Sequence, residues 1–100
     1  MTDIIIRPYK PDDIPALTKI WHGSFGDEIS MIAKFFELLP DMGKGFVAEK
    51  NGEVVGMLYM LNAALGERSV GYIYAVAVKK EHRRRGIGRL LCETAAGLPY

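Results

Sequence analysis

Cysteine is almost missing from this 100-residue chain. Cys92 stands alone, so no internal disulfide can form, and a reducing cytoplasm is the expected compartment. No stretch approaches the ~18 uninterrupted apolar residues of a helical membrane span, so no membrane partner is expected. The opening, Met1 to Ile6, has no basic stretch ahead of a long apolar run and does not read as a secretory signal. Only two histidines are present, His22 and His82, and neither has partners at metal-ligand spacing; no metal is expected. Neither sign of charge dominates, the net being +1. Internal repeats, low-complexity segments and linkers are absent. What remains is 49% apolar and 25% charged, the balance of one small globular domain over residues 1–100.

Within that even balance the charge is focused. Lys79 to Arg89 holds six Lys/Arg against one acid, Glu81, a local +5 that leaves −4 on the rest of the chain. A compact basic focus on an acidic body suits a small anionic ligand better than a long polyanion. An apolar strand, Tyr72 to Val78, runs into this loop, and the loop opens a short helix expected over Arg89 to Ala96. A helix start carries unpaired N–H groups and the positive end of the helix dipole, and so attracts phosphate. Gly86 and Gly88 let a diphosphate approach those amides, and Arg83, Arg84, Arg85 and Arg89 add charge to pair with it.

Upstream, Ile4 to Arg7 reads as a strand closed by Pro8, with Asp12 or Asp13 capping a helix and Pro15 in its first turn. Ile14, Leu17 and Trp21 give that helix an apolar face, interrupted by Gly23 and Gly26. A second helix is expected over Asp27 to Leu39, with Ile29, Ile32, Phe36 and Leu39 on one side and a stop at Pro40. Phe46 to Lys50 and Glu53 to Leu61 flank Asn51-Gly52, a two-residue type I′ hairpin turn. Gly56 inside the second strand predicts a bulge or a close backbone approach. A further strand runs from Val70 to Val78. The order is β-α-α-β-β-β-α, an α/β fold.

A P-loop needs Gly-Lys-Ser/Thr at the helix start, and a dinucleotide fingerprint needs a third glycine where Leu91 stands. Neither fits. Arg83-x-x-Gly86-x-Gly88 behind the strand Ala75-Val-Ala-Val78 resembles the acyl-CoA-binding signature of the GNAT superfamily of N-acetyltransferases, Gln/Arg-x-x-Gly-x-Gly/Ala. The Ile6-Arg7-Pro8 opening with Asp13 also looks like the start of many members, so the resemblance extends almost to Met1. It implies a mixed, mainly antiparallel sheet flanked by helices. Family members continue with a parallel strand, a helix and a final pair of strands, whereas nothing follows Tyr100; a fragment or truncation before the fifth strand is expected.

The resemblance implies transfer of an acyl group, expected to be acetyl, from acetyl-CoA to an amine acceptor by direct attack on the thioester. Val76, Ala77 and Val78 would offer backbone groups to the pantetheine and thioester. Arg83, Arg84, Arg85, Gly86, Ile87, Gly88 and Arg89 would wrap the pyrophosphate, Arg83 more through its backbone than its side chain. No catalytic residue is identified. The position at which some members carry a glutamate base is Tyr72; Tyr72 or Tyr74 are candidates to order a water, against packing on the sheet as the simpler role. The tyrosine that protonates the thiolate in many members lies on a fourth helix, and Tyr100 does not occupy its place. Asp27, Glu28, Glu37 and Asp41 are candidates for an amine-binding mouth, against a solvated helix face. Cys92, Met31, Met42, Met57 and Met60 read as core. With its fourth strand unpaired on one side, a homodimer through Tyr74 to Val78 is a further expectation. A non-catalytic acyl-CoA-binding or regulatory module is the alternative, and a nucleic-acid-binding module ranks last because the basic cluster is compact and the following helix nearly uncharged.

Overall fold

The computed structural model describes residues 3–97; the expectations placed on Met1 and Tyr100 fall outside them. Four strands, β1 (Ile4–Pro8), β2 (Gly43–Lys50), β3 (Glu53–Leu65) and β4 (Arg68–Val78), form one antiparallel sheet in sequence order. Helices α1 (Ile14–Phe25) and α2 (Ile29–Met42) cover one face and α3 (Ile87–Ala96) the other. Two cores result. Leu17, Trp21, Ile32, Phe36 and Leu39 meet Val47, Met57 and Tyr59 on the first face. Ile87, Leu91 and Ala95 meet Phe46, Ala48, Leu58 and Met60 on the second. Strand alternation sends successive residues of β2 and β3 to opposite cores, and this is why their central stretches are apolar throughout.

The hairpin turn is as the sequence predicts: Asn51 and Gly52 both have positive φ, 51° and 81°, the requirement of type I′. A bulge follows at once. Ala48 pairs with Gly56 and Glu49 with Val54, leaving Val55 unpaired. A Cβ on Gly56 would sit 3.3 Å from Leu91 Cδ1 and 3.4 Å from Ala48 Cβ, so the bulge and the close approach of α3 coincide there. A second bulge lies on β4. Tyr59 pairs with Ala75 and Met60 with Ile73, so Tyr74 is the extra residue and turns toward the α1/α2 face, where it meets Trp21 and Phe35.

Several element boundaries differ from the sequence reading. α1 runs through Gly23 and ends at Gly26, whose φ is 72°. Its start has no side-chain cap, because the Asp13 carboxylate is engaged by the Arg7 guanidinium and the Lys10 amide instead. α2 begins at Ile29 and continues past Pro40 to Met42; a proline this near the C-terminus removes one intrahelical bond without preventing the last turn. Ile29 and Met31 are exposed rather than in the core. β2 and β4 begin earlier, at Gly43 and Arg68. α3 begins at Ile87, two residues before the expected Arg89, because the buried Ile87 anchors its first turn. Among the described residues no helix is long and apolar enough to cross a membrane.

Candidate functional site

Among the described residues β4 is an edge strand, and its pairing decides which backbone groups are free. The Lys79 amide donates to Val55 O at 2.8 Å. In an antiparallel ladder, bonding alternates between residues. Ala77, opposite Met57, therefore directs its backbone groups to β3, whereas Val76 and Val78 direct theirs outward. The Arg83 Nε–H donates to Val78 O at 2.9 Å from the outer side, consistent with this alternation. Of the three residues expected to offer backbone groups, two stand on the open edge and Ala77 supports them from behind.

The loop after β4 passes through a short 3-10 turn, Lys80–His82, and is tied at both ends. Lys79 Nζ meets Glu53 Oε2 at 2.8 Å, and Arg83 holds the strand's last carbonyl. Arg84 takes a left-handed conformation, φ 65°, which costs a non-glycine residue strain; Gly86 takes φ 77° at no such cost. Gly86 is the residue that caps α3 and turns the chain into it. Among the described residues, none accepts a hydrogen bond from the amides of residues 84–89; the first donor of the helix is Leu90, to Gly86 O at 3.0 Å. The Ile87 side chain is buried, leaving only its backbone for a ligand. A Cβ on Gly88 would lie 3.8 Å from Val78 and 3.9 Å from Val76, so the glycine leaves space between the start of α3 and the β4 edge that packing alone would let alanine fill.

The Arg84 and Arg85 side chains have no protein partner among the described residues, while Arg89 pairs with Glu93 at 3.1 Å. Along the edge, three adjoining cavities run beneath the end of α1. The first, about 250 Å³, lies between Lys19, Ser24, Lys79 and Arg83. The second, about 300 Å³, is bounded by Ser24, Phe25, Val76, Ala77, Val78 and Arg83. The third, about 540 Å³, is bounded by Trp21, Phe25, Asp27, Tyr74, Ala75 and Val76. Shared walls at Ser24, Arg83, Phe25 and Val76 make them one cleft alongside β4.

Tyr74 reaches this cleft because of its bulge; Tyr72, 49% exposed, lines none of the three cavities. Asp27 is also in the cleft, its carboxylate accepting the Trp21 indole N–H at 2.8 Å. Glu28, Glu37 and Asp41 are exposed, Glu37 facing Lys34 at 3.7 Å, and they line none of the three cavities. Cys92 packs half-buried against the α3 core. Sequence reasoning missed Ser24 and Phe25; an aromatic residue set between Gly23 and Gly26 was the available signal. Among the described residues, the buried Nδ1 of His82 finds no partner, and the buried Tyr59 hydroxyl finds none. Burial raises the Tyr59 pKa well above the ordinary tyrosine value, so it stays neutral.

Comparison with known proteins places this geometry in context. An uncharacterized N-acetyltransferase of Methanocaldococcus jannaschii is 36% identical over 93 residues, covering 91% of this chain and 56% of that one. The chain spans little more than half the length of the curated relatives it matches, 58% and 56%. Among solved structures, a possible acetyltransferase from Clostridium difficile superimposes with a TM-score of 0.81 at 26% identity, covering 93% of this chain and 68% of the other. An aminoglycoside N-acetyltransferase in complex with CoA shares the fold, with a TM-score of 0.80 at 16% identity over 96% of this chain and 68% of its own. The model of the acetyltransferase (GNAT) family matches residues 9–98, nearly the whole chain, and the protein belongs to that family.

Proposed function

We propose that this chain binds acetyl-CoA as acyl donor and forms the donor-binding part of an N-acetyltransferase acting on an amine. The observation that carries the reading is the set of amides at residues 86–89 that find no partner among the described residues, at the foot of a strand edge that these residues also leave open at Val76 and Val78. A diphosphate would take the Gly86 to Arg89 amides at the positive end of α3, with Arg84 and Arg85 free to pair with it. Gly88 leaves room for it, which is the fit expected of a site built around a ligand. From there a pantetheine arm would run along β4, extending the sheet by bonding to the outward groups of Val76 and Val78.

Bound acetyl-CoA would supply an acyl group activated as a thioester. The chain's own contribution is to position it: β4 fixes the arm, Ala77 holds the strand to β3, and the walls at Phe25 and Tyr74 limit water on one side. The acceptor amine would enter from the third cavity. Tyr74 is the tyrosine on β4 that stands where the two reactants would meet.

The reading is tested by calorimetry with CoA and with pantetheine, which lacks the diphosphate. CoA should bind more tightly by at least about tenfold, an advantage that shrinks with salt because phosphate pairing is screened. Equal affinity for the two, or no binding of CoA, would overturn it. Turnover of any amine would exclude the non-catalytic acyl-CoA-binding module.

A further inference from the structure

The largest of the three cavities, about 540 Å³, is within the size range of small-molecule sites, and Asp27 is its one charged wall. That carboxylate is fixed in place. Its Oδ2 accepts the Trp21 indole N–H at 2.8 Å, and the Asp27 backbone carbonyl lies 2.8 Å from the His22 ring Nδ1. Trp21 is itself buried, 1% exposed and packed on Tyr59 and Phe35 at ring separations of 5.3 and 4.8 Å. Oδ1 has no partner among the described residues. Beside it stand two aromatic side chains that folding leaves half in water, Phe25 at 51% and Tyr74 at 48% exposure. A rigid carboxylate between exposed aromatic faces suits a cation with a hydrocarbon body, held by charge at one end and by ring faces along its length.

The nitrogen held by Asp27 is not the nitrogen that is acylated. An attacking amine must be neutral, and a carboxylate partner favours the charged form. The geometry points to an acceptor with two cationic groups, a diamine or polyamine, whose distal ammonium is held by Asp27 while its other amine is directed toward Val76. This deepens the acetyltransferase reading above and rests on it.

Trp21 is the only tryptophan, so its fluorescence reports this cavity directly. Titration with cadaverine and with 1,5-pentanediol, which has the same chain but no ammonium, should show saturable changes with cadaverine bound about tenfold more tightly. Asp27→Asn keeps an acceptor for the indole N–H and should erase the preference while leaving acetyl-CoA affinity and Tm unchanged. Tyr74→Leu should weaken both ligands severalfold and leave the preference in place. Equal binding of the two ligands by the wild type, or a preference that survives Asp27→Asn, overturns the inference. Calorimetry with acetyl-CoA on the same samples separates the two claims. Acetyl-CoA binding without cadaverine preference removes only the diamine assignment; cadaverine preference without acetyl-CoA binding removes the donor site and the acceptor role with it.

Discussion

Arg7 and Asp13 form a two-pronged ion pair, Nη1 to Oδ2 at 2.8 Å and Nη2 to Oδ1 at 3.0 Å. Arg7 Nε also donates to Glu49 Oε1 at 3.1 Å, and Asp13 Oδ2 accepts the Lys10 amide at 2.9 Å. One guanidinium thus fastens β1 to β2 and to the turn that launches α1. The Asp13 side chain is only 7% exposed and that of Arg7 24%, so loss of the carboxylate leaves a partly buried cation with half its hydrogen bonds. Asp13→Ala should lower stability by about 2 kcal/mol, or roughly 10 °C in Tm, measured by thermal unfolding.

The same pair sets an acid limit. The hydrogen bond from Arg7 holds the Asp13 carboxyl below the usual carboxylate range, and burial opposes this without cancelling it. In the unfolded chain the group titrates near pH 4. As pH falls the unfolded state therefore takes up the proton first. The stabilisation is complete above about pH 5 and is lost through pH 4 and below. Denaturant midpoints of the wild type should fall in that window, and those of Asp13→Asn should fall less. Glu53 is likewise held low, by its hydrogen bond to Lys79, so Glu53→Gln is the control that separates the exposed pair from the buried one.

Gly86 and Gly88 are adjacent glycines of the motif with opposite physical demands. Gly86 has φ 77°, and alanine there should cost about 1 kcal/mol and roughly 5 °C in Tm. Gly88 lies in the first turn of α3, and its added Cβ meets nothing nearer than 3.8 Å. Gly88→Ala should leave stability unchanged or raise it by about 0.5 kcal/mol, because alanine suits a helix better. The acyl-CoA-binding signature accepts alanine at this position, so CoA affinity should survive Gly88→Ala, whereas the side chain of Gly88→Leu would fill the space between Val76 and Val78 where the ligand approaches. Calorimetry should show CoA affinity reduced about tenfold in Gly88→Leu. Undiminished CoA affinity in that variant would mean the space serves no ligand.

The proposed donor half of the site was legible in the sequence as a candidate because its signals are local. Gly86, Gly88 and the arginines sit within seven positions of one another, and a strand followed by a glycine turn and a helix has few geometries. The hairpin at Asn51-Gly52 was legible for the same reason. Boundaries set by tertiary contact were not: α3 starts at Ile87 because Ile87 is buried beneath it, and α2 outlasts Pro40 because the lost bond falls in its last turn. The proposed acceptor half depends on the β4 bulge, which turns Tyr74 from one face of the sheet to the other. A bulge changes pairing between strands distant in sequence, and the run Tyr72-Ile-Tyr-Ala carries no mark of it.

The outer edge of β4 carries one further consequence. Tyr72, Ile73 and Tyr74 are 49%, 44% and 48% exposed along a strand with no neighbour on one side among the described residues. Such an edge is a template for pairing with a second copy. Light scattering on this 100-residue chain should show mass rising with concentration, and Ile73→Lys should suppress the rise by placing a charge in the pairing strip. Because the ligand and the second copy would compete for the outward groups of Val76 and Val78, saturating CoA should also reduce association. A monomer mass that stays constant at high concentration would show that twist and the overhang of Phe25 already protect the edge. Association that Ile73→Lys abolishes but CoA leaves unchanged would confine the contact to Tyr72–Tyr74, beyond the reach of the pantetheine arm.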